Sequence, residues 1–164
     1  MRVVLDTNIW VNALQQDWNN RHFIDCLSII GNFMQTKSDS LAVDYSNSIL
    51  EEYRDNVGDQ PGFQQMLVQL FAENRIQYVD EKLSPEIRKK LDELEFHEPE
   101  DRVFLGVAYN GDKYLITGDS DYGVGDKPGN VTAYRYFTTA LEMRILSPAE
   151  GAKDTGSRMV VINE

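Results

Sequence analysis

Tyr114-Leu115-Ile116-Thr117-Gly118-Asp119-Ser120-Asp121 is a short apolar run that breaks at glycine and closes on two acids, and Arg2-Val3-Val4-Leu5-Asp6 has the same form near the start of the chain. Such runs are too short for buried helices, and a turn former or an acid bounds them, so both are expected to be buried strands. Ser40–Val43, Ile76–Val79 and Leu141–Leu146 suggest three more. The stretches between them carry helical signals. A polar, helix-compatible segment follows Asp6 to about Gln16, and Phe23, Leu27, Ile30 and Met34 recur at helical spacing between His22 and Met34. Another helix starts at Ser46 and is broken by Gly58-Asp59-Gln60-Pro61-Gly62. Phe63, Met66, Leu67, Leu70 and Phe71 mark the next. Leu83–Leu94 has Ser84 as N-cap and Pro85 at its first position, and Glu98-Pro99-Glu100 opens a helix that Gly111 stops after Asn110. Strands alternating with helices predict an α/β domain with a mostly parallel central sheet.

With 164 residues the chain has room for one self-sufficient domain. Residues 1–150 carry the pattern. Residues 123–130 are expected to be a mobile loop and 151–158 a polar link, within a tail, 151–164, that has no clear pattern. Apolar residues make up 41% and charged ones 26%, the balance of an ordinary globular protein. No apolar run is long enough to span a membrane. The opening residues meet an acid at Asp6 and do not read as a signal peptide. Cys26 stands alone, so an internal disulfide and a zinc cluster are both excluded, and a reducing cytoplasm is the expected location. Sixteen basic residues against 27 acidic give a net charge of −11. No basic cluster suggests a nucleic-acid surface, so handling a polyanion would call for divalent cations between its phosphates and the protein's acids. Solubility alone is the other explanation of the charge.

Ligands of open parallel sheets bind beyond the carboxyl ends of the strands. Asp6 and Asp119 are expected at that edge, with Asp121 just beyond. An Asp there serves equally well as a helix cap, so each acid alone carries little weight. Asp101 lies above Phe104, Leu105 and Ala108 on a helix turning about 100° per residue, which puts it on the inward face. Favourable interaction with the helix dipole is its competing role. Ile49, Leu50, Tyr53 and Val57 define the buried stripe of the helix after Ser46. Glu52 lies nearer the edge of that stripe than Glu51, which points toward water. Carboxylates gathered from separate elements suit hard cations such as Mg²⁺ and Mn²⁺, which take oxygen ligands. Asp119-Ser120-Asp121-Tyr122-Gly123 starts like a calcium loop but lacks a ligand at Gly123 and has Asn130 in place of the closing Glu. No phosphate-binding loop or dinucleotide fingerprint occurs.

In this order, Val3-Val4-Leu5-Asp6-Thr7-Asn8, Ser46 with Ile49-Leu50-Glu51-Glu52-Tyr53, Asp101-Arg102-Val103-Phe104-Leu105 with Ala108, and Tyr114 through Tyr122 resemble the PIN-domain family of metal-dependent nucleases. Ser147-Pro148-Ala149-Glu150 resembles the entry to the family's last helix. Residues 123–141 do not match its usual short link. The resemblance implies a three-layer α/β/α domain and a catalytic set of Asp6, Glu52, Asp101, Asp119 and Asp121. Asp6, Asp101 and Asp119 would hold Mg²⁺ or Mn²⁺, with Glu52 and Asp121 acting on water. Thr7, Asn8 and Thr117 would steady the carboxylates, unless they serve as strand-end caps. Many bacterial relatives of this size are VapC-like toxins, so the resemblance implies an endoribonuclease in a toxin-antitoxin system, with RNA as substrate and an antitoxin protein or a homodimer as partner. A housekeeping RNA-processing nuclease and a non-catalytic binding module on the same fold are the alternatives.

Overall fold

A computed structural model describes residues 1–125 and 129–161 of the chain. The elements run β1 (Arg2–Leu5), α1 (Thr7–Leu14), α2 (Phe23–Gln35), β2 (Ser40–Asp44), α3 (Ser48–Val57), α4 (Pro61–Ala72), β3 (Ile76–Val79), α5 (Pro85–Glu93), α6 (Pro99–Asn110), β4 (Tyr114–Ile116), a 3-10 turn (Ser120–Tyr122), α7 (Val131–Thr138), β5 (Arg144–Leu146) and α8 (Pro148–Val161). The five strands form one sheet in the order β3-β2-β1-β4-β5, and every pairing is parallel. This is the α/β architecture that the alternating pattern predicts. From β1 the chain builds outward to β2 and β3, then crosses back to place β4 on the other side. The order therefore reverses between β1 and β4, and a crevice opens beyond their carboxyl ends.

Both central strands are apolar at every position that faces a helix layer. Val3, Val4, Leu5, Leu115 and Ile116 are all buried. Around them, Trp10 of α1, Tyr53 of α3 and Phe63 of α4 pack ring against ring, with Trp10 5.3 Å from Phe63 and 5.7 Å from Tyr53. The Tyr53 hydroxyl donates to the Leu5 carbonyl at the end of β1. That bond and the ring packing fix α3 against the sheet and set the phase of its neighbour Glu52.

Several elements differ from the sequence expectation. First, β2 extends one residue past Val43 to Asp44, a fully buried acid. Its two carboxylate oxygens accept the backbone N–H groups of Ser48 (2.9 Å) and Ile49 (2.8 Å). Asp44 is thus a strand-end acid that does cap a helix, and the cap begins α3 at Ser48 rather than Ser46.

Second, residues 123–141 contain α7. Asn130 caps it through a bond from the Ala133 N–H (3.0 Å), and Ala133 and Phe137 are buried one turn apart. Its β-branched and aromatic residues have poor helix propensity, which hid it. Part of the loop expected to be mobile, 126–128, lies outside the described residues.

Third, the polar link expected at 151–158 is helical. α8 runs unbroken across residue 150 and packs on α2. Gly151 allows this contact, since a Cβ there would come within 2.7 Å of Ile116 and 3.1 Å of Ile29. Asn32 donates to Thr155 (3.2 Å), and Arg158 pairs with the buried carboxylate of Asp39. The last strand is shorter than expected, because residues 141–143 close α7: the Met143 N–H bonds to the Phe137 carbonyl (2.9 Å).

Candidate metal centre

Asp6 occupies the N-cap position of α1 in extended conformation, yet its side chain makes no cap bond. Its Oδ2 instead accepts from the Thr117 hydroxyl (2.5 Å) and from Asn8 Nδ2 (3.1 Å). The strand end is pinned to its neighbour by the Asp6 N–H to the Ile116 carbonyl (3.0 Å). Thr117 and Asn8 each do a second job. Thr117 accepts the Asp119 N–H (3.0 Å), and Asn8 accepts the Gly118 N–H (3.0 Å). Together they hold the ends of β1 and β4 at a fixed separation. Both were candidates for this supporting role in the sequence.

Asp119 starts the 3-10 turn, and its Oδ1 accepts the Asp121 N–H (2.8 Å). The turn closes on Gly123, whose positive φ of 76° suits glycine. One ligand oxygen from each of Asp101, Asp119 and Asp121 lies within 4.8 Å of the others. Asp101 reaches this point from the first turn of α6. Buried Tyr122 fixes it there by donating to the Asp101 carbonyl (2.9 Å). The sequence signal for this anchoring role is the aromatic that directly follows Asp119-Ser120-Asp121. Its burial beside four carboxylates pushes its phenol pKa far up, so it remains a donor.

Glu52 is half-buried on α3 and accepts the Thr7 hydroxyl at Oε1 (2.5 Å), whereas Glu51 is exposed. The five acids are thus delivered by β1, α3, α6 and the segment after β4. Two clefts adjoin these acids: one of about 370 Å³ lined by Glu51, Glu52, Asp55, Glu100, Val103 and Phe104 among others, and one of about 120 Å³ lined by Asp101 and Asp121.

Electrostatics set these residues apart. Burial, then the charges of Asp119 and Glu52, raises the Asp6 pKa to about 6 against the Thr117 hydrogen bond. Burial, then Asp119, Asp6, Asp121 and Glu52, raises Asp101 to about 7. Among the described residues, no Lys, Arg or His forms an ion pair with any of the five acids. Unpaired carboxylates crowded in this way need protons or cations to offset their repulsion. An all-oxygen donor set of this kind fits a hard divalent ion.

Residues 2–121 match the family model of the PIN domain. The chain belongs to the PIN domain family. The match takes in all five acids and ends at Asp121. No curated protein matches the chain, and no solved structure does. PIN domains are generally nucleases that depend on divalent metal, so nucleic acid is the substrate class and hydrolysis the reaction class. Among the described residues of this PIN domain, no helix is long and apolar enough to cross a membrane.

Proposed function

We propose that this PIN domain is a Mg²⁺- or Mn²⁺-dependent endoribonuclease acting in the cytoplasm as the toxin of a toxin-antitoxin pair. The observation that carries the catalytic part is the cluster of Asp101, Asp119 and Asp121, with Asp6 and Glu52 close enough to act on Asp101 electrostatically, where the strand order reverses. The toxin part rests on the resemblance to VapC-like chains.

In this scheme Asp6, Asp101 and Asp119 hold the ion. A bound Mg²⁺ or Mn²⁺ supplies Lewis acidity, which acidifies water and offsets charge building on phosphoryl oxygens. The chain's own groups do the rest. Thr117 and Asn8 both bond Oδ2 of Asp6, which fixes the carboxylate plane. Thr7 holds Oε1 of Glu52, so Glu52 is oriented to accept a proton from water at its other oxygen. Asp121, the most exposed of the cluster, helps align that water. Phosphodiester cleavage then transfers the water oxygen to phosphorus and releases the ribose oxygen.

An antitoxin segment carrying Arg or Lys would neutralise the same cleft. Strong expression in a bacterial host, without a partner, tests the whole proposal. Growth arrest with RNA fragmentation is expected. Normal growth with soluble, intact protein would favour a housekeeping nuclease over a toxin.

A further inference from the structure

In the nuclease reading the acid centre takes the scissile phosphate, but a nucleic-acid strand needs a route to it, and a net charge of −11 opposes its approach. One region differs. On the flank of α6, Lys82, Arg88 and Arg102 line a groove of about 320 Å³ together with Glu81, Leu83 and Val103. These three residues are separated along the chain and form no basic cluster in the sequence; packing of α5 and the segment before it against α6 gathers them. Arg102 is bridged to Asp92 (2.6 Å). Among the described residues neither Lys82 nor Arg88 belongs to an ion pair; the same holds for Arg54, Lys89, Lys113, Arg135 and Lys153, but Lys82 and Arg88 share one groove with a third cation.

Two further contacts tie this groove to its surroundings. Val103 lines both it and the larger cleft that contains Glu52, so the two meet at that residue. On the other side, Glu81 accepts the Ser46 hydroxyl (3.2 Å), next to Tyr45 at the end of β2. Tyr45 and Tyr78 of β3 are stacked 5.9 Å apart with only 25° between their planes, and they are 67% and 40% exposed. Tyr53, Tyr114 and Tyr122 are buried, and Tyr109, Tyr134 and Tyr136 are partly buried against the core, whereas Tyr45 is the most exposed tyrosine among the described residues. Cationic side chains that track a backbone, next to exposed aromatic faces that stack on bases, are the recurring elements of single-strand recognition.

We infer that single-stranded RNA leaves the acid centre over Val103, lays its phosphates along Lys82 and Arg88, and stacks a base on the Tyr45–Tyr78 pair. The inference rests on the nuclease reading above and adds where the substrate lies. It also explains how so acidic a chain takes a polyanion: the cation handles one phosphate and this flank handles its neighbours. The other occupant of such a surface would be an acidic protein segment.

The test compares cleavage of an RNA of about twelve nucleotides, long enough to span the groove, with cleavage of a dinucleotide that is not. Wild type is set against the double variant Lys82→Glu/Arg88→Glu and against Tyr45→Ala, with Tyr45→Phe as the conservative control. Melting temperatures confirm that each variant folds. For the double variant, the KM ratio of long to short substrate is expected to rise about tenfold, and the slope of log KM against log salt to flatten by about 1.4, the value for two lost phosphate contacts on a single strand. Tyr45→Ala is expected to raise the ratio about tenfold with no change of salt slope, and Tyr45→Phe to restore it. If the wild-type ratio and slope persist in all the variants, the groove is not the RNA track, whatever else it binds, and the nuclease reading stands. If the wild type cleaves neither RNA, both fall together.

Discussion

Glu52→Gln is expected to lower metal-dependent cleavage by about 10²–10⁴-fold, the usual cost of losing a positioned acid–base group, with an unchanged circular dichroism spectrum. The amide keeps the shape of the side chain and its bond from Thr7, so the fold has no reason to respond. Glu51→Gln is the matched control. Glu51 is the preceding residue, chemically identical but exposed, and an exposed helical charge is worth less than about 0.5 kcal/mol. Assayed at equal metal, Glu51→Gln should remain near wild type. If it is the inactive variant instead, Glu52 is not the water-handling group.

Asp101→Asn should have opposite effects on stability and activity. The Asp6 and Asp101 carboxyls titrate near about 6 and about 7, above the ordinary carboxylate range, because burial and neighbouring charges oppose ionisation. The native protein therefore keeps protons that the unfolded chain has already released. The stability these two groups lend is complete below their unfolded pKa of about 4 and is lost as pH rises through about 6 to 7. An amide at 101 removes one of the repelling charges. Without metal, the variant should melt above wild type at about pH 8, and the gap should close at about pH 5, where the carboxyl is protonated. Mn²⁺ should raise the wild-type melting temperature at the higher pH and the variant's much less, since binding to the native state stabilises by mass action. Cleavage by the variant should fall by about 10²-fold or more, the scale of losing one charge contact to the transition state. Equal Mn²⁺ shifts in both proteins would remove Asp101 from the ligand set.

What was legible in the sequence was local. The ends of β1 and β4 are read from apolar runs closed by acids, and the half-buried position of Glu52 beside exposed Glu51 from the phase of a single helix. Pro85 and Ser84 mark the start of α5, where Ser84 accepts the Ile87 N–H (3.2 Å). The missed features depend on distant parts of the chain. α8 contains two glycines and few apolar residues, and it is helical because Gly151 and Thr155 seat it against β4 and α2. α7 owes its form to Ala133 and Phe137 finding the core. Asp44 has the residue type and strand-end position of a site acid, but its carboxylate is spent on the N-terminus of α3. In Asp6 the same type at the same kind of position makes no cap bond and remains available. Strand-end acids divide into caps and uncommitted carboxylates by which donors reach them, and only the folded chain determines that.

The most direct measurement of the central claim is a gel of total RNA incubated with the purified protein, once with Mn²⁺ and once with EDTA. Discrete fragments with Mn²⁺ and intact RNA with EDTA are expected if the proposed ion, held at the cluster of Asp101, Asp119 and Asp121, drives the cleavage. Equal fragmentation in both would contradict metal dependence, and intact RNA in both would contradict the nuclease.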